Sequence, residues 1–269
     1  MSVLPVPSNG AKKPPRGIYI IPALFTLGNL SLGFFSLTRT LTRDFIPAAT
    51  AVIIGHILDV FDGRVARWTN TASSFGVELD SLADLLTFVV SPAFLMYELV
   101  LRDVHPWGFP VALLYVGCGA MRLAKFNTKA HSGEGKSSHF IGLPTPAAGG
   151  MLAIFALLYT ALELDRPIRS LKVVSDQMPL FFKFVPAIMF LLAILMVSNV
   201  QYSTFKNVKL LRPRSLRALV LIAMTAMMIY VYPQNMVFIF YISYIGWGIV
   251  EYFLLGRSRR PPTPDPKTV

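Results

Sequence analysis

Four aspartates interrupt two apolar segments in the first third of the chain: Asp59, Asp62, Asp80 and Asp84. An ionised side chain within a membrane is costly in free energy, so it normally faces a cavity or a partner and indicates a functional site. The set contains only oxygen ligands, and such ligands favour hard cations such as Mg²⁺ or Mn²⁺. Two such ions would stabilise both the attacking and the leaving oxygen of a phosphoryl displacement.

The spacing of these aspartates predicts one acidic face on each of two helices. Asp59 precedes Asp62 by three residues and Asp80 precedes Asp84 by four, and both separations place side chains on the same helical face. At a rise of about 1.5 Å per residue, two antiparallel helices would bring the four carboxylates together about 6–12 Å inside one membrane surface. Glu78 falls on the opposite side of its helix from Asp80, so we exclude it from the metal site.

Small and basic residues share these helical faces. Gly63, Ala66 and Gly76 would leave room for a flat nucleotide, and Arg67 can neutralise phosphate oxygens. The residues alone leave simpler roles open, because small residues also mediate helix packing in membranes. Arg67 can equally be a basic anchor at the cytosolic boundary.

The composition indicates that the elements carrying these residues are membrane helices. Of the 269 residues, 54% are hydrophobic and 14% are charged, and the mean hydropathy is +0.57. A membrane-spanning helix needs about 20 mostly apolar residues, and we find no pair of inverted broken helices of the kind typical of secondary transporters. The sequence predicts an all-α bundle of about eight transmembrane helices, at 18–40, 45–67, 76–101, 107–126, 142–164, 179–200, 214–232 and 234–255.

The distribution of basic residues predicts the orientation of this bundle. The formal net charge is +11, and most of the 25 Lys and Arg residues fall in the two tails and in alternate loops. Because basic loops stay in the cytosol, we expect both termini there. Basic tails beside a membrane attract anionic lipid headgroups, so we expect membrane lipids and no nucleic acid as partners. Cys118 is the single cysteine, which excludes an intrachain disulfide and favours a packed membrane residue.

The run Asp59-Val-Phe-Asp62-Gly63-Arg-Val-Ala66-Arg67, followed by eight residues, Gly76, three residues, Asp80, three residues and Asp84, resembles the signature of the CDP-alcohol phosphatidyltransferases. Every position of that pattern is filled. The resemblance implies a six-helix membrane core, often dimeric, with a site open to the cytosol. Our eight segments would add two helices to that core.

The resemblance also implies a role for each residue of the signature. Asp59, Asp62 and Asp80 would bind metal ions, while Asp84 would approach them and act as the general base on an acceptor hydroxyl. The deprotonated acceptor would attack the phosphorus that carries the lipid of CDP-diacylglycerol, and CMP would leave. The four remaining residues would hold the cytidine diphosphate: Gly63, Ala66, Arg67 and Gly76.

A second stretch of sequence indicates which alcohol accepts the phosphatidyl group. The runs Arg122-Leu-Ala-Lys125-Phe-Asn127 and Phe140-Ile-Gly-Leu-Pro-Thr-Pro146 resemble a segment typical of the members that use L-serine. Arg122 or Lys125 would pair with the serine carboxylate, and Asn127 would form a hydrogen bond with it. Lys125 can also be an ordinary basic flank of its helix.

Other functions remain as alternatives. Glycerol phosphate or inositol phosphate would be the acceptor in other enzymes of the family, although each would require a stronger phosphate-binding cluster near the site. Intramembrane carboxylates also line the pathways of cation channels and transporters, and an inactive scaffold could keep the fold. Release of CMP discriminates the enzyme from both of the latter classes.

These observations divide the chain into four predicted parts. We expect a disordered cytosolic tail at 1–17, the six-helix core at 18–200, a cytosolic basic loop with two further helices at 201–256, and a second disordered cytosolic tail at 257–269. Within the core, the polar Asn29 is expected to form a helix–helix hydrogen bond. His56, one turn before Asp59, is expected to pack or to form a hydrogen bond with a neighbouring helix.

Overall fold

A computed structural model describes residues 20–68, 74–131, 139–164, 172–203 and 216–255. The described chain is almost entirely helical, which confirms the predicted all-α class. The tails at 1–17 and 257–269 and most of the basic loop after residue 203 lie outside the described residues. The helices are α1 (Ile20–Leu41), α2 (Phe45–Trp68), α3 (Ser74–Asp84), α4 (Ser91–Leu99), α5 (Gly108–His131), α6 (Thr145–Glu163), α7 (Lys172–Val197), α8 (Leu216–Val231) and α9 (Pro233–Leu255).

Shorter elements join some of these helices. A π-helical turn at Leu85–Val90 connects α3 to α4, and a 3₁₀ turn at Leu101–Asp103 follows α4. Two three-residue strands, β1 (His139–Ile141) and β2 (Gln201–Ser203), pair in antiparallel register. This small sheet was not predicted, because three residues are too few to show an alternating pattern.

Each predicted apolar segment coincides with a helix or, at 76–101, with the run from α3 to α4. Five spans in the described chain are long and apolar enough to cross a membrane. A sixth is added if α8 and α9, whose axes differ in direction by 117°, are counted together as one broken span. The protein is therefore a multi-pass membrane bundle. The predicted number of eight crossings and the cytosolic orientation of the termini stay predictions.

Two helix boundaries differ from the sequence-based expectation. α5 continues to His131, so Asn127, which follows the predicted end at residue 126, lies on the same helix as Arg122 and Lys125. α7 begins at Lys172, although a start at residue 179 was expected. Pro179 and Pro186 both lie inside α7, and membrane helices tolerate proline where neighbouring groups satisfy the freed backbone carbonyls.

The centre of the bundle is α6, in which 78% of the apolar stretch is buried, against 28% in α5. α6 contacts α2, α4, α7 and α9. Small residues permit this close packing: a Cβ atom at Gly149 would collide with the backbone carbonyl of Phe88, and one at Gly150 would collide with the Tyr241 hydroxyl. Cys118 is buried and unpaired, as predicted.

The π-helical turn is fastened to α1 by hydroxyl groups. Thr87 Oγ1 donates to the backbone carbonyl of Asn29 at 2.9 Å, and Ser91 Oγ lies 2.9 Å from the carbonyl of Gly33. Asn29 therefore takes part in the predicted helix–helix contact, but through its main chain. Its side-chain amide is buried and has no hydrogen-bond partner among the described residues.

Candidate active site

Three of the four aspartates meet between α2 and α3. One carboxylate oxygen from each of Asp59, Asp62 and Asp80 lies within 4.8 Å of the other two. α2 supplies the first two and α3 the third, as the helical spacing predicted. Three carboxylates at this separation repel one another unless a cation lies between them.

The fourth aspartate, Asp84, is the last residue of α3. Its carboxyl group lies against that of Asp59 and is close enough to interact with the charge of Asp80. Asp80 and Asp84 each keep one buried oxygen, Oδ1, without a hydrogen-bond partner among the described residues. Buried polar atoms are normally satisfied, so these two oxygens fit a site that receives a cation or a substrate hydrogen.

α1 forms a third wall of the site, which the sequence did not predict. Thr26 Oγ1 lies 3.4 Å from Asp62 Oδ2 and 3.2 Å from the backbone carbonyl of Pro22. Its position one turn before Asn29 on a mostly apolar helix is the signal that could have identified it. When the Thr26 hydroxyl donates to Asp62, the bond would limit rotation of that carboxylate.

Space for a ligand opens beside Asp62. Gly63 is exposed, and apart from its chain neighbours and the nearby backbone of its own helix, a Cβ atom there would meet no heavy atom of the described chain within 4 Å. Tight helix packing therefore does not explain this glycine, whereas a ligand close to the backbone would. Gly76 lies in the first turn of α3, and Ala66 and Arg67 lie in the last turn of α2, where their side chains fall outside the described residues.

Among the residues predicted to bind the acceptor, Arg122 reaches the aspartates. Its charge is near enough to that of Asp84 to interact with it, and Tyr244 of α9 lies within the same range of the guanidinium. Its Nη1 donates a hydrogen bond of 3.2 Å to Thr145 Oγ1 at the start of α6, and its Nε is buried without a partner among the described residues. Arg122 thus brings a cation and an unused donor within electrostatic range of the carboxyl group of Asp84.

The other two predicted acceptor residues occupy different surroundings. Asn127 Nδ2 donates to Glu78 Oε2 at 3.1 Å, and Asn127 Oδ1 accepts from Ser81 Oγ at 2.9 Å. These bonds join α5 to the side of α3 that faces away from Asp80. Lys125 is exposed on α5. Their roles in acceptor binding stay predictions, and Glu78 is not among the three clustered carboxylates.

His56 forms the predicted hydrogen bond with a neighbouring helix. Its Nδ1 lies 2.9 Å from the hydroxyl of Tyr241 on α9, and its ring packs edge-on against Phe88 with centroids 5.6 Å apart. The imidazole also forms a hydrogen bond with the main chain of Pro146. No local pattern in α9 indicated its tyrosines, because their partners are far away in sequence.

The fold and the site define an integral-membrane protein whose clustered carboxylates can bind a metal ion. Residues 19–177 match the family model described as CDP-alcohol phosphatidyltransferase. The chain belongs to the CDP-alcohol phosphatidyltransferase family, which confirms the resemblance drawn from the aspartate signature.

Relatives with an assigned activity resemble this chain over much of its length. A Helicobacter pylori (strain ATCC 700392 / 26695) protein is 35% identical over 242 residues, which cover 90% of this chain and 94% of the relative. A Bacillus subtilis (strain 168) protein is 39% identical over 54% of this chain and 79% of its own length. One from Methanocaldococcus jannaschii is 28% identical over 71% of this chain and 78% of its own. All three are called CDP-diacylglycerol--serine O-phosphatidyltransferase.

Proposed function

We propose that this protein transfers the phosphatidyl group of CDP-diacylglycerol to the hydroxyl of L-serine, which forms phosphatidylserine and releases CMP. The observation that carries the proposal is the position of Asp84, which lies against Asp59 of the carboxylate cluster on one side and near Arg122 on the other. Asp84 would therefore serve as the base between a candidate cation site and a candidate site for the serine carboxylate. The names of the bacterial and archaeal relatives support the same reaction.

We propose that two ions of Mg²⁺ or Mn²⁺ bind at the carboxylate cluster. Their ligands would be Asp59, Asp62 and Asp80, with Asp84 at the edge of the cluster. The short separation of three carboxylate oxygens and the unpartnered oxygens of Asp80 and Asp84 support this ligand set. When bound, such ions offset the negative charge of a diphosphate and stabilise a leaving phosphate oxygen.

The acceptor would bind with its two ends on different residues. The Arg122 guanidinium would pair with the serine carboxylate, since an arginine presents planar donors that match a carboxylate. Asp84 would accept the proton of the serine hydroxyl. The serine oxygen then forms a bond to the phosphorus that carries the diacylglycerol, and the bond from that phosphorus to CMP breaks.

The donor nucleotide would lie along α2 on the side of Gly63. The open space at Gly63 supports this placement, with Ala66 and Gly76 as the other small residues and Arg67 as the phosphate ligand. We also propose that the protein is a homodimer whose termini and active site face the cytosol. The orientation is supported by the concentration of Lys and Arg in the tails and alternate loops.

The first experiment measures CMP release by the purified, detergent-solubilised protein from CDP-diacylglycerol with Mg²⁺ or Mn²⁺. L-serine is compared with glycerol phosphate, inositol phosphate and water, and the lipid product is identified by mass spectrometry. Serine-dependent release with formation of phosphatidylserine is the expected result. Release with one of the phosphate acceptors alone would contradict the choice of serine, and no release with any acceptor would favour an ion pathway or an inactive scaffold.

A further inference from the structure

The helix that carries Asp80 and Asp84 does not continue regularly into the core of the bundle. α3 ends at Asp84, the π-helical turn occupies Leu85–Val90, and α4 begins at Ser91. π-helical turns bond residue i to residue i+5, and they are rare and frequently found at functional sites. One such turn inserts about one residue into a helix, which rotates the two sides relative to each other by about 100°.

The side of the turn that follows it is anchored in the core. Leu95 and Met96 of α4 are completely buried, and α4 contacts α1, α5 and α6. Rotation of α4 about its axis would expose these side chains, so the π-helical turn determines how α3 is rotated. Asp80, whose carboxylate belongs to the cluster, and Asp84, one turn later, lie on the face of α3 that this rotation directs toward α2.

Four helices approach the π-helical turn so closely that each presents a glycine to it. The pairs are Gly33 of α1 with Thr87, Gly55 of α2 with Thr87, Gly119 of α5 with Val89, and Gly149 of α6 with Phe88. A Cβ atom at Gly33 would lie 2.5 Å from Thr87 Oγ1, and one at Gly55 would lie 2.7 Å from Thr87 Cγ2. The completely buried Thr87 therefore places its hydroxyl against α1 and its methyl group against α2.

Two hydroxyl groups also bond successive residues of the turn to neighbouring helices. Thr87 donates to the backbone carbonyl of Asn29 on α1 at 2.9 Å, and Tyr115 of α5 donates to the carbonyl of Phe88 at 3.3 Å. Both bonds are buried, where hydrogen bonds are not weakened by competition with water. Valine has nearly the shape of threonine without the hydroxyl, so the effect of the Thr87 bond can be measured with little change in packing.

We propose that the π-helical turn positions the base of the reaction and that Thr87 is a positioning residue for Asp84. Its bond to α1 and its contacts with the two glycines hold the chain three residues after Asp84, which keeps that carboxyl group on the side of the cluster. This inference rests on the proposed function. Thr87 contacts no reacting atom in this arrangement, so its loss should lower kcat more than it changes substrate binding.

The test measures phosphatidylserine formation by the full-length protein in detergent and by Thr87→Val, Thr87→Ser and Thr40→Val. Thr40 is the matched control, because it is also completely buried but donates to the carbonyl of Ser36 in its own helix. Since a misplacement of about 1 Å can cost about 10²-fold in rate, Thr87→Val should lower kcat by about 10–100-fold. Both KM values should change by less than about twofold. Thr87→Ser keeps the hydroxyl and should retain kcat within about threefold, and Thr40→Val should match the unmodified protein.

Coupling to Asp84 distinguishes positioning from a general loss of structure. If Thr87 acts through Asp84, Thr87→Val should change kcat by less than about twofold once Asp84→Asn is present. If Thr87→Val fails to fold, Tyr115→Phe decides, because it removes the other hydroxyl and keeps the buried ring. Its expected loss of kcat is about threefold, again without an additional effect in Asp84→Asn.

The possible results separate this inference from the function on which it rests. Unmodified protein that shows no serine-dependent CMP release would overturn the proposed function. An active protein in which Thr87→Val keeps full kcat, or in which its effect is additive with that of Asp84→Asn, would overturn the positioning role only. The same holds if Thr40→Val loses as much activity as Thr87→Val, or if Thr87→Ser loses as much.

Discussion

On one side of the active site, Asp59 and Asp62 of α2 meet Asp80 of α3, all within 4.8 Å. On the other side, Arg122 of α5 is held by Thr145 of α6 and approaches α9. The first group comes from two successive helices, and in the proposed site each carboxylate would fill a different position around a cation, so none could replace another. The second is assembled from distant segments that each contribute one contact. We therefore expect abrupt loss of activity when the first side is altered and graded losses on the second.

The largest effect is expected at Asp84, where the two sides meet. Asp84→Asn keeps the shape of the side chain but removes the base, and general bases contribute about 10²–10⁴-fold to rates. The kcat for phosphatidylserine formation should fall by about 10³-fold, while size-exclusion chromatography shows folded protein. Full activity in this variant would contradict the assignment of Asp84 as the base.

Removal of divalent cations should be nearly as severe. Activity is expected to disappear with EDTA and to return when Mg²⁺ or Mn²⁺ is added in excess. Direct Mn²⁺ binding, measured by electron paramagnetic resonance, should weaken in Asp62→Asn and Asp80→Asn because each variant loses one charged ligand. Binding that is unchanged in both variants would place the cation elsewhere.

A graded effect is expected at Arg122. Arg122→Gln removes the charge but leaves a donor near Thr145, so the KM for L-serine should rise by about 10–100-fold. The KM for CDP-diacylglycerol should stay nearly constant. An equal rise in both KM values would indicate that Arg122 serves the donor, and would remove the distinction between the two sides.

The smallest effect is expected at Glu78. Glu78→Gln keeps a carbonyl oxygen that can accept a hydrogen bond from Asn127. Residue 78 also lies on the side of α3 away from the carboxylate cluster. Activity should therefore change by less than about twofold. A loss comparable to that of Asp80→Asn would show that the face of α3 has been assigned incorrectly.

The carboxylate cluster could be predicted because its geometry depends on residues that are close in sequence. Separations of three and four residues fix which side chains share a helical face, and Asp59, Asp62 and Asp80 follow that rule. The position of α6 at the centre of the bundle could not be predicted. Its Ala and Gly residues indicate close helix packing only when the backbone that they pack against, such as that of Phe88, is known. The helical class and the apolar segments were correct for the same local reason.

The acceptor side could be predicted only in part. Arg122 was predicted from its motif, but the hydrogen bond of Tyr241 with His56 joins residues more than 100 positions apart. The surroundings of Asn127, whose role in acceptor binding stays a prediction, could not be predicted from the motif either. It lies five residues after Arg122 on the same helix, about 140° around the axis at 3.6 residues per turn, and it is bonded to Glu78 and Ser81.

The hydroxyl contacts of the π-helical turn have a consequence for local unfolding. Thr87 and Ser91 bond to backbone carbonyls of α1 just after Asp84, and the same helix carries Thr26 against Asp62. Segments joined by buried hydrogen bonds open as one cooperative unit. We therefore expect the amides of α1 and of residues 85–91 to exchange with deuterium at similar rates, so that fraying of the first helix would disorder the clustered carboxylates as well.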